Sequence, residues 1–242
     1  MDVQDEGTVV CFSGGIDSTV VLIETLRAHG PEKVVAMAAN YGQPHRHELV
    51  VGAAFCKSRG IPYEEVPISF SLSGYAGRSS ALSREERIAW TGPRYPDDII
   101  GRNLHIIAAA EVVAYRYSFG VIAVGHNLED GQGRAHRCIG DRGPGGFQDA
   151  TEDYFKALST ALQYGGGPRI ETPLINMSKK EVVQRATELG INIGETWTCF
   201  YPQWTGPHQP EECGVCGACA DKRKAMGVQH SRDPVEGAGD KA

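Results

Sequence analysis

The sequence predicts an α/β fold, a doubly wound sheet of five parallel strands with a small cysteine-bearing appendage at its C-terminal end. Three observations predict it. Short, continuously apolar runs alternate with helical patterns along the chain, as successive βαβ units require. Glycine-rich stretches follow those runs, first at Ser13-Gly14-Gly15 and again from Gly131 to Gly146. Four of the seven cysteines crowd between Cys199 and Cys219.

In chain order, Thr8-Val9-Val10-Cys11-Phe12 reads as a buried strand that runs through a glycine turn into a helix with apolar Val20, Val21, Ile23 and Leu26. Lys33 to Ala39 predicts a second strand. Arg46 to Ser58 predicts a helix with Leu49, Val50, Ala53 and Ala54 on its inner face, and Tyr63 to Ile68 a third strand. Residues 69–98, rich in Ser, Gly, Arg and Pro, are expected to form a lid, with a capping-box pattern at Ser83-Arg84-Glu85-Glu86. A helix from about Asn103 carries Ile106, Ile107, Ala110, Val113, Ala114 and Tyr117, and the strand Val121-Ile122-Ala123-Val124 runs into Gly125-His126-Asn127. Phe155, Leu158 and Leu162 mark the next helix, and Arg169-Ile170-Glu171 the fifth strand. Ser178-Lys179-Lys180-Glu181 is a capping box opening a helix with Val182, Val183, Ala186 and Leu189 inward. The expected organisation is a main domain over 1–195, a metal-binding subdomain over 196–228 and a solvated tail over 229–242.

With 242 residues, 41% of them hydrophobic and 22% charged, the chain suits one globular domain with an add-on. A formal net charge of -6 disfavours a surface that neutralises many phosphates, so a small substrate is expected rather than nucleic acid. No apolar stretch approaches the roughly 18 residues of a membrane span. The acidic start, Met1 to Glu6, does not read as a targeting segment, so a cytoplasmic enzyme is expected.

A glycine pair between a buried strand and a helix lets backbone N–H groups converge on an anion, with the helix dipole adding positive potential there. The run Ser13-Gly14-Gly15-Ile16-Asp17-Ser18-Thr19 lacks the lysine of a Walker loop and the third glycine of a dinucleotide fingerprint. Cys199, Cys213, Cys216 and Cys219 are separated by 13, 2 and 2 residues, a spacing that suits one structural Zn²⁺ with four thiolates. The same spacing also suits an iron–sulfur cluster. Cys11 and Cys56 read as small buried hydrophobes, and Cys138 as the one thiol in a candidate active-site loop. His45 and His47, two apart, cannot share a helix face, which argues against a metal pair.

Ser-Gly-Gly-x-Asp-Ser resembles the PP-loop of ATP pyrophosphatases, and the chain as a whole resembles the QueC family of 7-cyano-7-deazaguanine synthases. The likeness runs through Asn40-Tyr41-Gly42-Gln43-Pro44-His45-Arg46-His47-Glu48-Leu49, Ser80-Ala81-Leu82, Gly101-Arg102-Asn103-Leu104, Gly125-His126-Asn127 with Asp130, Thr172-Pro173-Leu174, Ser178-Lys179 and Thr196-Trp197-Thr198-Cys199. It implies a PP-loop (HUP-like) domain that cleaves ATP between its α and β phosphates. It also implies adenylation of 7-carboxy-7-deazaguanine, amidation by ammonia, and a second adenylation that yields the nitrile.

On that resemblance Ser13, Asp17, Ser18 and Lys179 are the expected catalytic residues, with Lys179 neutralising charge on the α-phosphate. ATP is expected on Phe12, Ser13, Gly14, Gly15, Ile16, Asp17, Ser18, Thr19, Asn40, Arg102, Asn103 and Gly125, with Mg²⁺ near Asp17. The deazaguanine is expected on Tyr41, Gln43, His45, Arg46, Asn127, Asp130 and Trp197, and zinc on Cys199, Cys213, Cys216 and Cys219. A homodimer is implied as well. The chain departs from the family after Asp130, where a longer, glycine-rich and more basic loop replaces Ser-Gly-Tyr-Pro-Asp-Cys-Arg. Ile99-Ile100 replaces Val-Pro, and the Cys199 to Cys213 interval is wider. These changes leave two alternatives beside nitrile formation: a stop at the amide, or transfer of the activated acyl group to another amine such as a protein. A PP-loop enzyme that modifies tRNA is the remaining one.

Overall fold

The computed structural model describes residues 6–43, 45–68, 101–132, 148–203, 210–214 and 216–228. The expected lid, its capping box, Ser80-Ala81-Leu82, most of the Gly131 to Gly146 loop with Cys138, and the tail lie outside the described residues.

Strands β1 (Thr8–Cys11), β2 (Val34–Asn40), β3 (Tyr63–Pro67), β4 (Val121–Val124) and β5 (Arg169–Glu171) form one parallel sheet in the order β3-β2-β1-β4-β5. Helices α1 (Ile16–His29), α2 (His47–Ser58), α3 (Arg102–Tyr117), α4 (Leu128–Gln132), α5 (Glu152–Tyr164), α6 (Lys179–Glu188) and α7 (Gly217–Ala225) complete the described elements, with short 3-10 turns at 31–33, 148–150 and 193–195.

The apolar runs lack polar alternation because both sheet faces are covered. Val10 and Ala36 pack with Val20, Val21, Phe55 and Val182 on one side, whereas Val9, Val35 and Ile122 pack with Ile107, Ala110, Val113 and Phe155 on the other. Successive side chains of a strand point to opposite faces, so one run supplies both cores. The chain winds outward from β1 to β3, then crosses back to place β4 on the other flank of β1. A crevice opens at the strand C-termini where the order reverses, between β1 and β4.

Most elements fall where the periodicity puts them, and the α2 face is a correction. Its buried residues are Leu49, Gly52, Phe55 and Cys56, while Val50 is 61% exposed. The helix is apolar nearly all round, so its sequence does not single out an inner face. Packing decides instead, since Gly52 lets α2 approach Phe12, where a Cβ would stand 3.2 Å from the ring. His45 precedes α2 rather than lying in it, in a turn where the Glu48 N–H donates to the His45 carbonyl at 3.0 Å.

Candidate active site

The β1–α1 turn knits itself into a nest. The Gly15 N–H donates to Ser13 Oγ (3.3 Å), the Ser13 N–H donates to Ser18 Oγ (3.2 Å), and the Ser18 and Thr19 hydroxyls donate to the Gly15 carbonyl (3.1 and 2.7 Å). Gly14 sits at φ 76°, a backbone region that side chains disfavour, and a Cβ there would lie 2.8 Å from the Glu48 carbonyl. The β4 loop closes from the other side. A Cβ on Gly125 would meet Ser18 N at 2.9 Å and the Asp17 carbonyl carbon at 3.0 Å, so only glycine allows the two strand-end loops to touch.

Between these loops runs a polar relay. Lys179 Nζ, from the first turn of α6, pairs with Asp17, and Asp17 Oδ1 accepts from Asn127 Nδ2 at 3.1 Å. Asn127 Oδ1 caps the next turn by accepting from the Glu129 N–H (2.9 Å), and the Asn127 N–H donates to Asp130 Oδ2 (3.0 Å). Asp130 also faces His126 Nδ1 at 3.6 Å. Burial pushes the Asp130 carboxyl up, but His126, the Asn127 N–H and Lys179 outweigh it and hold the group below the ordinary range.

A cavity opens from this relay. Ser13, Asp17 and Ser18 line the end at the β1–α1 turn, Gly125, His126 and Phe155 one wall, and Tyr41, His45, Glu48, Arg102, Asn103 and Phe200 another. Thus Ser13, Asp17, Ser18, Tyr41, His45, Arg102, Asn103 and Gly125 come together as a lining. Phe12 does so from the core, its ring tilted against Phe55 at 5.9 Å, whereas Ile16 is 1% exposed and could offer a ligand only its backbone.

Other sequence-derived residues brace the site rather than line it. Asn40 Nδ2 donates to Glu65 (2.6 Å), and buried Gln43 donates to the Ala39 carbonyl (3.1 Å) and to Glu48 Oε1 (2.9 Å). Arg46 is exposed outside the cavity. Trp197 donates Nε1–H to the Cys199 carbonyl and its backbone N–H to the Gly14 carbonyl, both at 2.9 Å, with its ring edge-on to His47 at 4.5 Å. Cys56 is buried, and Cys11 lies in the cavity wall with its thiol pushed up to about 12 by burial, which makes it inert.

Sequence reasoning passed over Glu48 and His126 as site residues. Burial raises the Glu48 carboxyl to about 7, against the opposing pull of the Gln43 hydrogen bond and the Arg102 charge. A first-turn glutamate reads in sequence as dipole compensation, and only the fold back of Gln43 turns it toward the cavity. His126 did leave a signal, being the second residue past a buried strand at the point where the strand order reverses.

The four appendage cysteines converge so that their sulfurs lie within 4.8 Å of one another. Sulfurs about 2.3 Å from a tetrahedral ion stand roughly 3.8 Å apart, so the donor set fits a four-thiolate metal centre. The Tyr201 and Cys213 N–H groups donate to Cys199 Sγ (3.3 and 3.1 Å) and the Cys216 N–H to Cys213 Sγ (3.3 Å), as a thiolate cage requires. Hydrogen bonds from Cys199 and Cys219 push the Cys216 thiol below its ordinary range. Behind the cage, Lys222 Nζ pairs with Glu212 at 3.1 Å, and Glu212 Oε1 accepts from the Thr198 N–H at 2.9 Å, tying α7 to the segment that reaches Gly14.

No helix among the described residues is long and apolar enough to cross a membrane. The chain is similar in fold to the U34-tRNA thiolase NcsA from Methanococcus maripaludis, solved with its [4Fe-4S] cluster, at a TM-score of 0.50 and 17% identity over 84% of this chain and 62% of that one. In sequence it is 30% identical over 96% of its length to the 7-cyano-7-deazaguanine synthase of Alteromonas mediterranea, covering 98% of that protein. It is 28% identical to the 7-cyano-7-deazaguanine synthase of a Marinomonas species, again over 96% of this chain and 98% of the relative. The model of the family described as queuosine biosynthesis protein QueC matches residues 7–229, and the chain belongs to that family.

Proposed function

We propose that this protein is a 7-cyano-7-deazaguanine synthase, an ATP-dependent C–N ligase that releases AMP and pyrophosphate. The observation that carries this reading is the cavity in which a self-bonded Ser13–Ser18 nest opens onto Arg102, Asn103 and His126, in a chain of the QueC family. The backbone N–H groups of the nest hold the β and γ phosphates of ATP, with Mg²⁺ near Asp17. Lys179 stabilises the charge that develops on the α-phosphate as the substrate carboxylate attacks and pyrophosphate leaves. Ammonia then displaces AMP from the acyl adenylate to give the amide. A second ATP adenylates the amide oxygen, and loss of AMP with a proton leaves the nitrile. Tyr41, His45 and Arg102 are proposed to hold the deazaguanine, which the braces Gln43 and Trp197 support from behind. The cysteine cage is proposed to hold one structural Zn²⁺ in a subdomain over 196–228, attached to a PP-loop domain over 1–195. The protein is proposed to work in the cytoplasm as a homodimer.

The test is mass spectrometry of products after mixing the protein with 7-carboxy-7-deazaguanine, ATP, Mg²⁺ and ammonium, with AMP measured in parallel. The nitrile with about two AMP per product, one for each activation, is the expected result. Amide alone, or AMP with no free product until a protein amine is supplied, would refute it.

A further inference from the structure

Resting on that reading, we propose that His126 is the general base of the amidation step and that Asp130 is its positioning residue. His126 follows β4 directly after Gly125, whose backbone lies against Ser18 and Asp17, so its ring enters the cavity beside the phosphate loop. The ring rests on Phe155 at 5.1 Å with a 30° tilt, which fixes its plane. Asp130 Oδ2 faces Nδ1 at 3.6 Å and is itself held by the Asn127 N–H at 3.0 Å. The negative charge of a carboxylate on the Nδ1 side favours the tautomer that carries its proton there and leaves the Nε2 lone pair as acceptor. Among the described residues Nε2 has no hydrogen-bond partner.

Attack of ammonia on an acyl adenylate leaves positive charge on nitrogen, and ammonia departs again unless a proton is removed before the bond to AMP breaks. In the proposed step the nitrogen lone pair forms the C–N bond, one N–H proton passes to Nε2, and the C–O bonding pair leaves with AMP. The Asp130 carboxylate then balances the imidazolium. Other charged groups near this loop are engaged elsewhere: Lys179 and Asp17 pair with each other on the nucleotide side, and Glu129 accepts from the Lys179 N–H at 2.9 Å. The relay through Asn127 joins the two sets, so nucleotide grip and base position share one scaffold.

Two half-reactions separate this role from a structural one. Pyrophosphate exchange driven by 7-carboxy-7-deazaguanine reports adenylation, and single-turnover formation of amide from ammonium reports amidation. In H126A exchange should stay within about threefold of wild type while amidation falls on the order of 100-fold, and added imidazole should restore part of the loss. His126→Gln, which keeps the volume but cannot take up a proton, should fall equally without rescue, and D130N should lose about tenfold. Wild-type amidation in both His126 variants would overturn the inference, as would parallel loss of exchange and amidation in both. Absence of substrate-driven exchange in the wild-type protein would instead overturn the proposed function, and the inference with it.

Discussion

Glu48 shows how a single side chain can work against stability where the cavity needs it. Its carboxyl, raised to about 7 mainly by burial, sits among Gln43, His45, Arg102 and Tyr63. Because the folded state holds the proton more tightly than the unfolded one, stability is greatest below about pH 4.5 for this group and falls as pH rises through 7. E48Q removes that loss, and its amide oxygen can still accept from Gln43. The variant should be more stable than wild type at pH 8, by about 2 kcal/mol, with the gap closing toward pH 4. Urea titrations of both proteins at the two pH values check this, and equal stability at pH 8 would show the carboxylate to be already compensated. None of this was legible in the sequence, since a charge in the first turn of a helix is ordinary and its burial depends on a loop that folds over it.

Elements were far more legible than residues, for a physical reason visible at β1 and α6. Strand β1 is apolar from Val9 to Cys11, with buried Thr8 before them, because both of its faces are covered, and α6 carries its own start signal in Ser178 and Glu181. The Ser178 N–H donates to Glu181 Oε2 (2.7 Å) and the Glu181 N–H to Ser178 Oγ (3.3 Å), closing the capping box that the spacing implied. The α2 face was illegible because apolar residues surround that helix, and the short α4 because five residues carry no period. Ser178→Ala should cost about 1 kcal/mol in urea unfolding. Adenylation should slow less than in Lys179→Ala, because the Lys179 N–H keeps its bond to Glu129 and the N-terminus of α6 stays anchored. A Ser178→Ala protein as slow as Lys179→Ala would mean that the capping box, and not Glu129, sets the lysine.

At the scale of the molecule, the fold class and the convergence of the four cysteines could be read from pattern and spacing, but not the contact that joins the cage to the glycine turn. Along the chain, the Ser13–Ser18 turn and the cysteine cage are separated by strands β2 to β5. In space the Trp197 N–H donates to the Gly14 carbonyl, and Phe200, next to Cys199, lines the cavity with His45. Such a junction has no periodicity or motif, because it depends on where the chain returns after β5 and α6. It would give a metal ion bound by the four cysteines a reach beyond the cage itself. With an ion in the cage, its removal would leave four thiolates within 4.8 Å to repel one another or take up protons, and the knuckle would lose the staple that holds Trp197. The sheet has two cores of its own and should persist. Chelation, or Cys216→Ser, should therefore leave the strand signal in circular dichroism nearly intact while weakening binding of a non-hydrolysable ATP analogue by roughly tenfold, the loss of about one buried hydrogen bond. Tryptophan emission should shift in step as Trp197 becomes wetter. Unchanged nucleotide affinity in the metal-free protein would show that Gly14 is held by its own turn, and would reduce the Trp197 bond to a passive contact.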